Sequence, residues 1–155
     1  MLNDLVKRLI EKQKTISTME SCTGGALASE ITNVEGASDV LKFSAVTYSN
    51  EFKIKMGVSK DVIDKYSVYS METACEMSRN ISKFTNSNYG VGITGKFGNV
   101  DKANLYGDDY TVFISIYDKD NNKFYNDTVK AVKQNRKENK MLVIKKVNYM
   151  LLEII

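Results

Sequence analysis

The β-branched run Thr15-Ile16-Ser17-Thr18-Met19 leads directly into Glu20-Ser21-Cys22-Thr23-Gly24-Gly25, after which Ala26, Leu27, Ala28 and Ile31 take up helical spacing. Few folds accept that order. The first run reads as a short buried strand, and the small residues that follow read as a sharp turn into a helix. Such a junction supplies a hydroxyl, unpaired backbone N–H groups and close access to the backbone. About 25 residues later, Val46-Thr47-Tyr48-Ser49-Asn50-Glu51-Phe52-Lys53 reads as a second apolar strand ending in a polar cluster.

The rest of the chain alternates in the same way. Leu2, Leu5, Val6, Leu9 and Ile10 have the spacing of an amphipathic helix over 2–12. Thr23 is placed to cap a helix over 24–32, the residues 33–38 read as a turn, and Phe43 to Tyr48 forms the second strand. Ser59 caps a short helix to Tyr66. Ser70 caps a longer one to Phe84 that buries Ala74, Met77, Ile81 and Phe84. Tyr89 to Thr94 is a third strand, and 96–109 reads as a loop of unusual length. Thr111 to Tyr117 and Lys123 to Val132 pair as a hairpin, and a helix over 136–152 closes the chain. The pattern implies an α/β fold, a three-layer α/β/α sandwich over a mixed β-sheet, with 1–155 as a single domain.

Composition narrows the chemistry more than the fold. A chain of 155 residues has room for one sizeable core. Its net charge of +3 is too small to argue for nucleic acid, and the basic stretch Lys130 to Lys146 reads as a solvated helix face. The N-terminus lacks a long apolar signal segment, no stretch is apolar enough to span a membrane, and the two cysteines do not make a disulfide framework. The expectation is a soluble, cytoplasmic protein with reduced thiols. Histidine is absent, so an imidazole base is excluded and a zinc site is disfavoured; no metal or cofactor is expected. A catalytic base has to be Lys, Tyr, Asp or Glu.

Ser21, at a strand end before a helix start, suits an oxyanion or phosphate site; equally, Ser21 and Thr23 could serve only as helix caps. In a parallel pairing, Tyr48 and Lys53 would lie beside Ser21, because sites in open α/β sheets gather at the carboxyl ends of strands. Lysine near a serine can act as its base when burial disfavours the ammonium, and tyrosine can orient the proton. The alternative is a surface lysine beside a half-buried tyrosine. Thr94-Gly95 ends the third strand. Cys22, beside a helix start but without a histidine partner, reads as packing rather than a nucleophile, and Cys75 as structural.

Taken in order, Glu20 to Gly25, Val34 to Ser38, Val46 to Lys53, Met56-Gly57-Val58, Tyr66 to Ser70 and Ile93-Thr94-Gly95 resemble the C-terminal domain of the CinA family over nearly the whole chain. Members of that family include nicotinamide-nucleotide amidases. The resemblance implies Ser21 as nucleophile, with Lys53 and Tyr48 as activating partners. It implies that Thr94, Gly95 and the Thr23, Gly24 and Gly25 amides help hold carbonyl or phosphate, and that Arg136 meets the phosphate. The implied reaction is metal-independent hydrolysis of the carboxamide of nicotinamide mononucleotide to nicotinate mononucleotide and ammonia. A homo-oligomer fits by analogy, and the larger N-terminal domain fused in some members is not expected in this chain. One segment departs. Family members continue the third strand as T-G-I-A-G-P with further glycines, whereas this chain reads Thr94-Gly95-Lys96-Phe97-Gly98-Asn99-Val100-Asp101, and it lacks a later P-V-G. Three readings follow: a different but working wall in which Lys96 meets the phosphate, a site for another nucleotide amide, or an altered nucleotide-binding or regulatory protein that has kept the fold. A bland scaffold is disfavoured by the polar trio of strand ends.

Overall fold

The computed structural model describes residues 1–98, 102 and 108–155. Much of the loop expected over 96–109, including Asn99, Val100, Asp101 and Gly107, lies outside the described residues. The elements run α1 (Asn3–Glu11), β1 (Ile16–Glu20), α2 (Ala26–Thr32), a short 3-10 turn (Ala37–Asp39), β2 (Leu41–Val46), α3 (Asn50–Lys55), α4 (Lys60–Tyr66), α5 (Met71–Thr85), β3 (Tyr89–Gly95), β4 (Thr111–Asp118), β5 (Lys123–Lys130) and α6 (Arg136–Ile154).

The strands form one mixed sheet in the order β2-β1-β3-β4-β5. β1 pairs in parallel with β2 on one side and β3 on the other, and β3-β4-β5 continue antiparallel. Chain direction and handedness then fix the layers. The β1-to-β2 crossover through α2 and the β2-to-β3 crossover through α5 step in opposite directions across the sheet. Right-handed connections therefore send the two helices to opposite faces. The carboxyl end of β1 lies where the strand order reverses, which opens a crevice in this kind of sheet.

Side-chain alternation fills each layer. Tyr89, Val91 and Ile93 of β3 and Val112, Ile114 and Ile116 of β4 pack with Leu5, Leu9, Leu27, Ile31, Val143 and Val147 beneath α1, α2 and α6. On the other face Met19 and Ala45 meet Met77, Ile81, Ile63 and Val68. Here β3 presents Gly90 and Gly92, where a β-carbon would collide with the carbonyl oxygens of Ser78 and Ala74, so α5 lies directly on the strand. Every residue of β1 and β3 is buried, as expected for strands covered on both faces. The edge strands β2 and β5 are half exposed.

The three-layer expectation holds, with local corrections. The second strand ends at Val46, two residues short of Tyr48, and 50–55 is a helix the sequence reading did not foresee. The Ser49 side chain caps it by accepting from the Phe52 N–H. The turn over 33–38 continues into the 3-10 turn at Ala37. Thr23 does not cap α2. That helix begins at Ala26, its cap position is Gly25 in the left-handed region, and the Thr23 hydroxyl is turned inward to a carboxylate. Phe84 is not buried but 69% exposed, meeting the Phe43 ring of edge strand β2 edge-on. The Ser59 and Ser70 caps are present as expected.

Candidate functional site

Ser21 is the first residue beyond β1, and its N–H still donates to the Ile93 carbonyl at 3.0 Å, so the neighbouring strand fixes its backbone. Parallel pairing of Glu20 with Val46 brings the end of β2 alongside. From there Thr47 donates its N–H to the Glu20 carbonyl, and the chain turns through Ser49 into α3. That helix carries Lys53 back under the turn. The Lys53 side chain is 2% exposed, and its Nζ donates to Ser21 Oγ at 3.0 Å and to the Thr47 carbonyl at 2.6 Å. The hydroxyl and amine predicted to work together are therefore in direct contact.

Glu20 organises the turn between them, a role the sequence reading did not assign to it. Its fully buried carboxylate accepts from the Thr23 hydroxyl at 2.7 Å and from the N–H groups of Leu27 and Ala28 at 3.0 Å each. It thus occupies the first-turn amides of α2, where the helix dipole favours negative charge. The Gly24 N–H is taken by the Ser21 carbonyl. The unpaired helix-start amides expected beside Ser21 consequently reduce to those of Thr23 and Gly25, which have no acceptor among the described residues. Gly24 and Gly25 both have positive φ, +59° and +91°, which permits the reversal from strand to helix. A carboxylate at the end of a strand just before two glycines was the available signal for Glu20.

Cys22 is buried beside Ser21, and burial pushes its thiol up to about 12, against the opposing pull of Lys53 and Arg136. A thiol held protonated is a poor nucleophile, which agrees with packing. Cys75 lies on α5, where Ser115 and Asn126 of the hairpin donate to its sulfur.

The remaining predicted residues divide. Tyr48 is 64% exposed, and its hydroxyl accepts from the Arg136 guanidinium at 3.3 Å. Arg136 also lies over the Phe97 ring, 5.3 Å from its centroid, so α6 and the segments after β2 and β3 meet at one point. Thr94 is fully buried and donates to the Val68 carbonyl at 2.8 Å, which ties the 67–70 segment to the end of β3. Gly95 lies against the Val112 backbone of β4. Lys96 is 4% exposed, with its Nζ 3.3 Å from an Asp109 carboxylate oxygen and 4.6 Å from the Tyr69 ring centroid. Thr47, the residue whose carbonyl holds Lys53, has a buried hydroxyl without a hydrogen-bond partner among the described residues.

Comparison with known proteins agrees with the fold. The family described as CinA C-terminal domain matches residues 1–155. A CinA-like protein of Flavobacterium psychrophilum is 43% identical over 113 residues, 72% of this chain and 27% of that protein. A CinA-like protein of Desulforapulum autotrophicum is 40% identical over 99 residues, 63% of this chain and 23% of that protein. The chain thus matches about a quarter of the length of these curated relatives. Among solved structures, a CinA superfamily protein from Escherichia coli superposes with a TM-score of 0.88 at 25% identity, covering 99% of this chain and 88% of that one. With the family matched from the first residue to the last and the same fold in a solved member, the chain belongs to the CinA C-terminal domain family.

Proposed function

We propose that the chain is a nicotinamide-nucleotide amidase that hydrolyses the carboxamide of nicotinamide mononucleotide with Ser21 as nucleophile and Lys53 as its base. One observation carries this reading: Lys53 Nζ is 3.0 Å from Ser21 Oγ at the carboxyl end of β1. The distance is within reach for proton transfer. A side chain this deeply buried is where an ammonium costs most, and the base must be the neutral amine. Ser21 Oγ attacks the carboxamide carbon as its proton passes to Lys53. The resulting oxyanion is met by the Thr23 and Gly25 amides. Collapse expels ammonia with the proton returned by Lys53, leaving an acyl-serine. Water, deprotonated by the same amine, then releases nicotinate mononucleotide. Tyr48 acts in this scheme through Arg136, keeping the guanidinium over the mouth of the site.

The test is ammonia release from nicotinamide mononucleotide by purified protein, with Ser21→Ala as control. Turnover that vanishes in the variant supports the reading. A second reading, binding of a nucleotide without turnover, draws on Lys96 and Phe97, side chains that stand where the family pattern T-G-I-A-G-P has Ile and Ala. Calorimetric binding of the mononucleotide without any ammonia would favour it.

A further inference from the structure

We infer that Lys140, acting with Arg136, grips the substrate phosphate and is the residue by which this site distinguishes a nucleotide from the unphosphorylated nucleoside; the inference rests on the nucleotide reading above.

Lys140 lies one helical turn beyond Arg136, on the same face of α6. Its ammonium is folded back onto the turn that carries Ser21: a β-carbon built on Gly24 would be 3.3 Å from Lys140 Nζ. Gly24 therefore leaves room for a cation directly against the backbone of the Ser21–Gly25 turn. Arg136 reaches the same region, since its charge acts on the Cys22 thiol. Its guanidinium touches only the Tyr48 hydroxyl and the Phe97 ring face among its described contacts.

Among the described residues no carboxylate forms an ion pair with Arg136 or Lys140. Glu138, the carboxylate between them in sequence, instead lines a groove with Lys133, Lys137 and Lys145. Like charges four residues apart on a helix repel, and an anion placed between them relieves the repulsion. A phosphate monoester carries between one and two negative charges at neutral pH and presents several acceptor oxygens. Arginine suits it as a planar fork and lysine as a point charge. Lys96, which one of the three sequence readings also set on the phosphate, has Asp109 and the Tyr69 ring beside it.

The experiment uses the Ser21→Ala chain, in which ligand is not consumed, titrated calorimetrically with nicotinamide mononucleotide and nicotinamide riboside. The mononucleotide should bind more tightly. Adding Lys140→Met should weaken mononucleotide binding by about 10- to 100-fold, leave riboside binding unchanged, and be largely rescued by Lys140→Arg. With Ser21 intact, Lys140→Met should raise KM for the mononucleotide and leave kcat nearly unchanged. Equal weakening toward both ligands, no weakening, or no preference for the mononucleotide would overturn the inference. A phosphate preference that depends on Lys140 in a chain releasing no ammonia would remove the amidase reading and leave the phosphate grip standing.

Discussion

Two lysines, Lys53 and Lys96, are buried to nearly the same extent beyond the ends of β2 and β3, the two strands that flank β1, yet their surroundings differ. In the corner after β2, Lys53 donates to a serine hydroxyl and a backbone carbonyl. In the corner after β3, Lys96 meets an aspartate carboxylate and the face of a tyrosine ring. A hydroxyl is a partner with which a proton can be exchanged. A carboxylate and a ring quadrupole are partners that stabilise a fixed positive charge. Burial alone therefore does not tell the two lysines apart; what each nitrogen touches does.

The largest effect should come from exchanging each lysine for methionine, which roughly keeps the volume and removes the amine. On the proposed mechanism, Lys53→Met should lower turnover of nicotinamide mononucleotide by about 1,000-fold or more, because it removes the amine in contact with Ser21 Oγ that takes its proton. Lys96→Met should act mainly on stability, by about 1–3 kcal/mol in urea unfolding, while Asp109, already 43% exposed, turns to water. Comparable losses of turnover in the two variants would erase the distinction between the corners.

Glu20 sharpens it further, as a buried carboxylate held by a hydroxyl and two backbone N–H groups. Glu20→Gln should cost about 2–4 kcal/mol, since the amide nitrogen faces donors that the carboxylate accepted. Activity should fall as well, because the Ser21 turn loses its anchor. A variant as stable as the original chain would show that the α2 amides find other acceptors.

The Cys22 thiol offers a pH readout of the first corner. Its folded value of about 12 lies above the ordinary 9.0 of an exposed thiol. Between these values the unfolded chain releases a proton that the folded chain keeps. Its contribution is thus complete below pH 9 and is lost as pH rises toward 12, at up to about 1.4 kcal/mol per pH unit. Unfolding of the original chain and of Cys22→Ala, compared across that window, should show the steeper decline only where the thiol is present.

The smallest effect is expected away from both corners. Phe84→Ser, on the exposed aromatic pair with Phe43, should change stability by less than about 0.5 kcal/mol if the pair is merely a surface contact. A larger loss would mean that the edge strand β2, and with it the Lys53 corner, depends on that pair.

How far the sequence could be read follows from where each signal resides. The Ser59 and Ser70 caps are local, because the hydroxyl and the N–H it meets are three residues apart, and both were legible. Phe84 was misplaced because helical spacing gives a face but not what lies opposite; there the face looks past the edge of the sheet. The helix over 50–55 was hidden by the strand-like run before it, although Ser49 was a legible cap. Thr23 was read as a cap from its type and position, but a carboxylate three residues earlier competes successfully for its hydroxyl.

By itself, the sequence determined the order of strands and helices apart from α3, the absence of an imidazole base, and a serine, a tyrosine and a lysine at or just beyond strand ends. These depend on residue type and short spacing. Only the tertiary structure decided which of those groups touch. It set Lys53 on Ser21 across 32 positions, turned Tyr48 toward Arg136 across 88, and engaged Lys96 with Asp109. Those contacts follow from the parallel register of β1 with β2 and from the face of the sheet on which α6 lies. Both are set by packing among distant segments, which no local pattern encodes.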